Sequence, residues 1–166
     1  LEASAGEYDR SSRALLTAMG AEITELEDWS CCGASAAEAQ SRLLALALPA
    51  RNLAIAEKMG GAHDLVVPCS ACYLNLRKVA EKIGREPELL TALNTVLSAD
   101  GLHLSGGVRV RHLLDVLAND LGAQALGAKV ARPLKGLTIA PYYGCQCLRP
   151  YRVFDDPEAP RTMSPL

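Results

Sequence analysis

Large aromatic side chains are scarce in these 166 residues: one Phe, one Trp and five Tyr, about 4% of the chain. A base-stacking platform interleaves aromatic with basic residues, and no such stretch occurs. Positive charge is not in excess either. Seventeen Lys and Arg against nineteen Asp and Glu leave a formal charge of −2, which provides no electrostatic footprint for a phosphate backbone. Nucleic acid is therefore not an expected partner. Long apolar runs are missing as well. A spanning helix needs about 18 to 20 apolar residues, and the longest stretch here is interrupted by Arg42, Pro49 and Arg51. Residues 1–12 (LEASAGEYDRSS) are acidic and polar where a signal peptide would be basic and then apolar. The pattern predicts a chain without a membrane span, located in the cytoplasm. The lack of an initiating methionine predicts that it is cut from something longer.

What is present is ordinary in bulk and unusual in one residue type. Hydrophobic residues make up 49% and charged residues 22% of the sequence, so a buried core is expected and disorder is not. The length suits one domain, or one domain plus the start of a second. Six cysteines stand out. They fall in three close pairs: Cys31-Cys32, Cys69-x-x-Cys72 and Cys145-x-Cys147. Small secreted proteins use cysteines as disulfide staples because their cores are too small. This chain has core enough without them, so close pairing reads better as metal ligation or redox chemistry in a reducing compartment.

The periodicity predicts helix-rich α/β architecture, with a mostly parallel sheet, flanking helices and room for a helical subdomain. Leu15, Leu16 and Met19 recur at helical spacing before Gly20. Residues 21–27 (AEITELE) read as a strand that feeds the first cysteine loop. Ser35 with Glu38 three residues on fits a capping box for one long helix over 35–59, bent near Pro49. Residues 64–67, an apolar run ending at Pro68, read as a buried strand that delivers Cys69 to its end. A helix over 70–83 then starts at the CxxC itself, with Leu74, Val79 and Ile83 on one side. Pro87 opens a further helix over 87–98, 101–107 is a loop, 108–110 a short strand, and 112–121 a helix. Residues 122–136 look like a connection. Leu137-Thr138-Ile139-Ala140-Pro141 then repeats the theme of an apolar strand running into Pro before a cysteine pair, a hint of internal duplication.

Thiolates are preferred ligands of zinc and of iron–sulfur clusters, and a CxxC turn lets two sulfurs converge. At a strand–helix junction, Cys69 and Cys72 meet the positive end of a helix dipole, which favours thiolates. Adjacent Cys31 and Cys32 cannot easily share one tetrahedral ion but can serve different metals of one cluster, and Gly33 lets the backbone approach closely. CxxC taken alone is equally a redox dithiol or half of a zinc site. Cys31 and Cys32 taken alone can be ordinary buried thiols, although their loop, Trp29-Ser30-Cys31-Cys32-Gly33-Ala34, is polar.

Asp28-Trp29-Ser30-Cys31-Cys32-Gly33-Ala34 followed by Pro68-Cys69-Ser70-Ala71-Cys72 resembles the cysteine-rich CCG domain. Pro141-Tyr142-Tyr143-Gly144-Cys145 with Arg149-Pro150 and Phe154-Asp155-Asp156-Pro157 resembles the opening of a second one. The two-copy layout is similar to the B-type subunit of heterodisulfide reductase. The resemblance implies a first CCG domain over 1–132 and the linker and start of a second over 133–166. It also implies a leading cysteine ahead of Leu1. By position, Cys31, Cys32, Cys69 and Cys72 would ligate a first non-cubane 4Fe-4S cluster, and Cys145 a second. Cys147 has no assured place in the pattern and reads as a neighbour, not a ligand. The implied activity is reduction of a disulfide such as CoM-S-S-CoB or a bacterial equivalent, in a complex with flavin and ferredoxin-like iron–sulfur subunits and a small thiol or disulfide substrate. The alternatives are a non-catalytic electron-relay subunit of a glycolate- or succinate-type oxidoreductase, and a structural zinc protein.

The remaining polar residues give weaker signals. His63, His103 and His112 lack metal-ligand spacing and receive no role. Tyr142 and Tyr143 read as packing beside the site. Arg149 has the chemistry to bind an anionic group, but an Arg-Pro step is as often structural. Gly60-Gly61 and Gly106-Gly107 lack a dinucleotide-binding context.

Overall fold

The computed structural model describes residues 5–60, 64–140, 144–151 and 153. Within them the chain is helix-rich and carries one small sheet. Helix α1 (Gly6–Ala18) is closed by a Schellman motif: Ala21 N–H donates to Leu16 O and Gly20 N–H to Thr17 O, with Gly20 at φ 83°. Helices α2 (Ala34–Gln40) and α3 (Arg42–Lys58) follow the first cysteine pair, then β1 (Asp64–Val67), α4 (Ser70–Ile83) and α5 (Pro87–Leu97). A 3-10 turn over Ser98–Asp100 leads to β2 (Arg109–His112), a short α6 (Leu113–Asp115), a π-helical turn over Val116–Leu121 and α7 (Gly122–Ala128).

The sheet is a parallel pair, β1 beside β2, with Val67 opposite His112. Its mouth is tied by charge: Asp64 takes Arg109 and Arg111, and Arg111 also pairs with Asp115 and Asp120. The core lies where α3, α4 and α5 meet the sheet, with Leu53, Val79 and Leu93 at its centre. Helix α3 is buried nearly all round its middle turns, from Leu46 to Ile55, as expected of a helix apolar on every side. On α4 the buried stripe is Tyr73, Leu76, Val79 and Ile83.

Several expectations are corrected. Residues 21–27 make no strand: Ile23 is exposed, and Glu25 is spent on Arg13 and Trp29 instead of facing a ladder partner. The long helix breaks at Ser41, which is extended (φ −163°, ψ 133°) and caps α3 by accepting from Leu44 N–H. Pro49 sits inside an unbroken α3, and α2 has Gly33 at its N-cap with no side-chain cap, so Ser35 and Glu38 form no capping box. The second strand is displaced to Arg109–His112, and 122–128 is helical. Residues 137–140 form no strand; Leu137 and Ile139 are exposed and have no neighbouring strand among the described residues. Pro141 to Tyr143, Phe154 to Pro157, Gly61 and His63 lie outside the described residues.

Candidate metal centre

The two first-site cysteine pairs arrive from opposite directions. Cys69 is the N-cap of α4, extended (φ −84°, ψ 121°), where Pro68 has ended β1 and α4 takes over. Cys72 follows on the first turn. Cys31 and Cys32 come on a loop whose path is forced by positive φ at Asp28 (54°), Gly33 (78°) and Ala34 (44°). Helix α3 holds that loop. Asn52, itself buried, accepts from Ser30 N–H at 3.0 Å and donates to Ser30 O at 2.7 Å. Arg51 donates to Asp28 O and pairs with the Asp28 and Asp100 carboxylates.

The structure brings all four thiols together pairwise. Cys32, buried, hydrogen-bonds Cys72 and Cys31, and accepts from Asn75 Nδ2 at 3.4 Å. Cys69 lies near enough to act electrostatically on Cys72 and on Tyr8, whose hydroxyl donates to Pro68 O. Hydrogen bonding from Cys72 pulls the Cys32 thiol well below its ordinary value, against burial and with help from Ala34 N–H and Asn75. The Cys72 thiol is pushed far up by Cys32 and by burial. The hydrogen-bond donors converge on Cys32 and not on Cys72, although Cys72 stands on the first turn of α4.

All six cysteines are free thiols. The first-site donor set is entirely sulfur, which suits iron–sulfur clusters and zinc. Among the described residues no three of His, Cys, Asp and Glu surround one point as a single-ion site requires. Ser30 Oγ, immediately before Cys31, is buried with no hydrogen-bond partner among the described residues. A buried hydroxyl left unpaired is costly, and an inorganic sulfide seated at this loop would accept from it. The residues thus fit a sulfur-bridged cluster. An open cleft of about 390 Å³ beside Arg51 and Asp100 shares no lining residue with the thiols.

Cys145 is exposed. Cys147 is instead buried in the main core, where burial pushes its thiol up and a hydrogen bond to Ser70 pulls the other way. The sequence reading missed Asn75, Asn52, Tyr8 and His112. Asn75 was findable, since it stands one turn beyond Cys72 on the same helix face.

Residues 1–77 match the family model of the CCG cysteine-rich domain. The chain carries a CCG domain. Three curated relatives share most of the chain. A protein of Wolinella succinogenes named 8-methylmenaquinol:fumarate reductase membrane anchor subunit is 36% identical over 150 residues, covering 90% of this chain and 51% of its own. A protein of Archaeoglobus profundus, named for its likeness to the B-type subunit of heterodisulfide reductase, is 32% identical, covering 89% and 49%. The B-type subunit of the ferredoxin/F(420)H(2)-dependent CoB-CoM heterodisulfide reductase of Methanosarcina acetivorans is 28% identical, covering 92% and 51%. The chain spans about half the length of the curated relatives it matches. Among the described residues no helix is long and apolar enough to cross a membrane.

Proposed function

We propose that this chain is an iron–sulfur part of an oxidoreductase subunit that reduces a disulfide substrate, CoM-S-S-CoB or a bacterial equivalent. Cys31, Cys32, Cys69 and Cys72 hold a non-cubane 4Fe-4S cluster, and Cys145 contributes to a second centre in a second CCG domain that residues 133–166 begin. The observation that carries this reading is the pairwise meeting of four thiols around the Cys32–Cys72 contact. Ligands spread in pairs suit several irons better than one tetrahedral ion.

When bound, the cluster supplies electrons and a soft metal face for sulfur. The chain's own residues do the rest. Asn75 and Ala34 N–H donate to Cys32 and stabilise negative charge on its sulfur. The α4 N-terminus directs its positive end at Cys69. Asn52 and Arg51 fix the loop, so the thiols are preorganised. Reduction of a disulfide takes two electrons and releases two thiolates; flavin and ferredoxin-like partner subunits would deliver the electrons.

A second reading is an electron relay without disulfide chemistry. The 36% identity to a subunit of a quinol:fumarate reductase favours it. Anaerobically reconstituted protein, given reduced viologen and a panel of disulfides, separates the two. Disulfide-dependent viologen oxidation that is lost in Cys32→Ser supports the reductase. Cluster reduction with no turnover on any disulfide supports the relay. Zinc with no iron would contradict both.

A further inference from the structure

The spacing of His112 gives it no role and Cys147 has no assured place in the CCG pattern, yet the fold brings them to one serine. His112, on the last residue of β2, is 2% exposed. Its Nδ1 accepts from Leu114 N–H at 3.1 Å, so the proton of the neutral ring is on Nε2. Burial keeps the ring neutral. Nε2 lies 3.3 Å from Ser70 Oγ, and its N–H therefore donates to that oxygen. The Ser70 hydroxyl proton is then left over, and Ser70 neighbours the buried Cys147 sulfur. A hydrogen bond from Ser70 to Cys147 would complete a chain that runs in one direction, from Leu114 N–H to His112 and from His112 to Ser70. Tyr73 packs its ring edge-to-face on His112, centroids 5.4 Å apart, and its hydroxyl donates to Tyr151 O. Arg77 lies over the Tyr151 ring, and Asn119 donates to Val153 O.

Ser70 is the residue that follows Cys69 inside the CxxC turn. A partner of Ser70 is thus seated at the first cysteine site, and Cys145, two residues before Cys147, lies within about 7 Å of it along the chain. We propose that His112, Ser70 and Cys147 form a directional hydrogen-bond lock that seats the second cysteine segment on the N-terminus of α4 and so positions Cys145 beside the Cys69–Cys72 turn. His112 is a positioning residue: it touches no thiol ligand and acts by fixing which way the Ser70 hydroxyl points. The role given to Cys145 rests on the function proposed above; the lock itself does not.

The test uses the full chain, reduced and metal-free, with alkylation by iodoacetamide followed at each cysteine by mass spectrometry at one pH. Cys147 is 1% exposed and reacts only through local opening, so its rate reports the open population. Exposed Cys145 serves as the internal reference. Ser70→Ala should speed Cys147 by roughly 2- to 10-fold, the change expected for one lost hydrogen bond. At position 112 two amides separate the two ring nitrogens. His112→Asn keeps an acceptor for Leu114 N–H and does not reach Ser70, so it should match Ser70→Ala. His112→Gln keeps a donor to Ser70 and gives up the cap, so it should stay within about 2-fold of the parent. The double variant Ser70→Ala/His112→Asn should be no faster than Ser70→Ala alone. Equal rates in parent and Ser70→Ala, additive effects in the double variant, or His112→Gln as fast as His112→Asn would overturn the lock. Iron and sulfide content of the parent tests the cluster reading separately, so either can fail alone.

Discussion

Gly33, the residue that follows the cysteine pair, gives the sharpest stability prediction. It has φ 78°, and a Cβ built there would overlap Ala37 Cβ and stand 3.0 Å from Leu48 Cδ1. Ala37 is 4% exposed and fixed in α2, so the clash cannot be relieved by a swinging side-chain end. The left-handed conformation costs a non-glycine residue about 1–2 kcal/mol, and overpacking adds about 1–3 kcal/mol. Gly33→Ala should therefore destabilise the chain by about 2–5 kcal/mol, a large share of the about 5–15 kcal/mol typical of a domain. Gly20→Ala is the control. Gly20 has nearly the same φ, 83°, with nothing within 4 Å of its would-be Cβ, so only the conformational cost of about 1–2 kcal/mol applies. In urea unfolding of the apo chain, the Gly33 variant should show the lower midpoint at an unchanged m-value. Equal midpoints for the two variants would refute the claim that the CCG loop is packed this tightly against α2.

Glu57 accepts from Ser105 N–H and Oγ–H and from the Gly106 and Gly107 amides, at 2.6–2.9 Å. Glu57→Gln should cost about 1–3 kcal/mol and speed hydrogen exchange at Gly106 and Gly107; unchanged exchange there would contradict the arrangement. Removing the Asn75 donor with Asn75→Leu should raise the pH midpoint for alkylation of Cys32 in the apo chain. A midpoint that stays put or falls would show that Asn75 does not stabilise the anion. Asp64 is held below its ordinary value, first by Arg109 and then by Arg111. A depressed carboxylate stabilises the fold above its unfolded pKa of about 3.9 and loses that contribution as pH falls through the lower folded value. Thermal midpoints should accordingly drop between about pH 5 and pH 3, and Asp64→Asn should flatten that limb; an equally steep limb in the variant would contradict the assignment.

The parts of the fold legible in the sequence are those fixed by neighbours along the chain. The strand ending at Pro68, the helix starting at the CxxC and Pro87 at the first turn of α5 stand as read, although only Val67 of that strand is buried. The strand expected at 21–27 failed because two apolar residues do not make a strand without a partner to pair with. One long helix bent near Pro49 is the reading because proline is the usual cause of a bend, whereas the chain breaks at Ser41, whose side chain caps a new helix. The thiol pairs could be read from spacing. Which sulfur the donors favour could not, because that depends on Asn75 and on the meeting of Cys32 with Cys72 across 40 residues of chain. His112 shows no ligand spacing in the sequence, and its bonds to Ser70 and to Leu114 N–H leave no such pattern there.

The most direct test of the central claim is the iron, acid-labile sulfide and zinc content of anaerobically purified protein. It should be measured on the 166-residue chain and on a version extended at both ends, each beside its Cys32→Ser variant. The account predicts iron and sulfide in about equal amounts in at least the extended version, with visible absorption, both lost in the variant. Zinc alone, or no iron in either version, would contradict it.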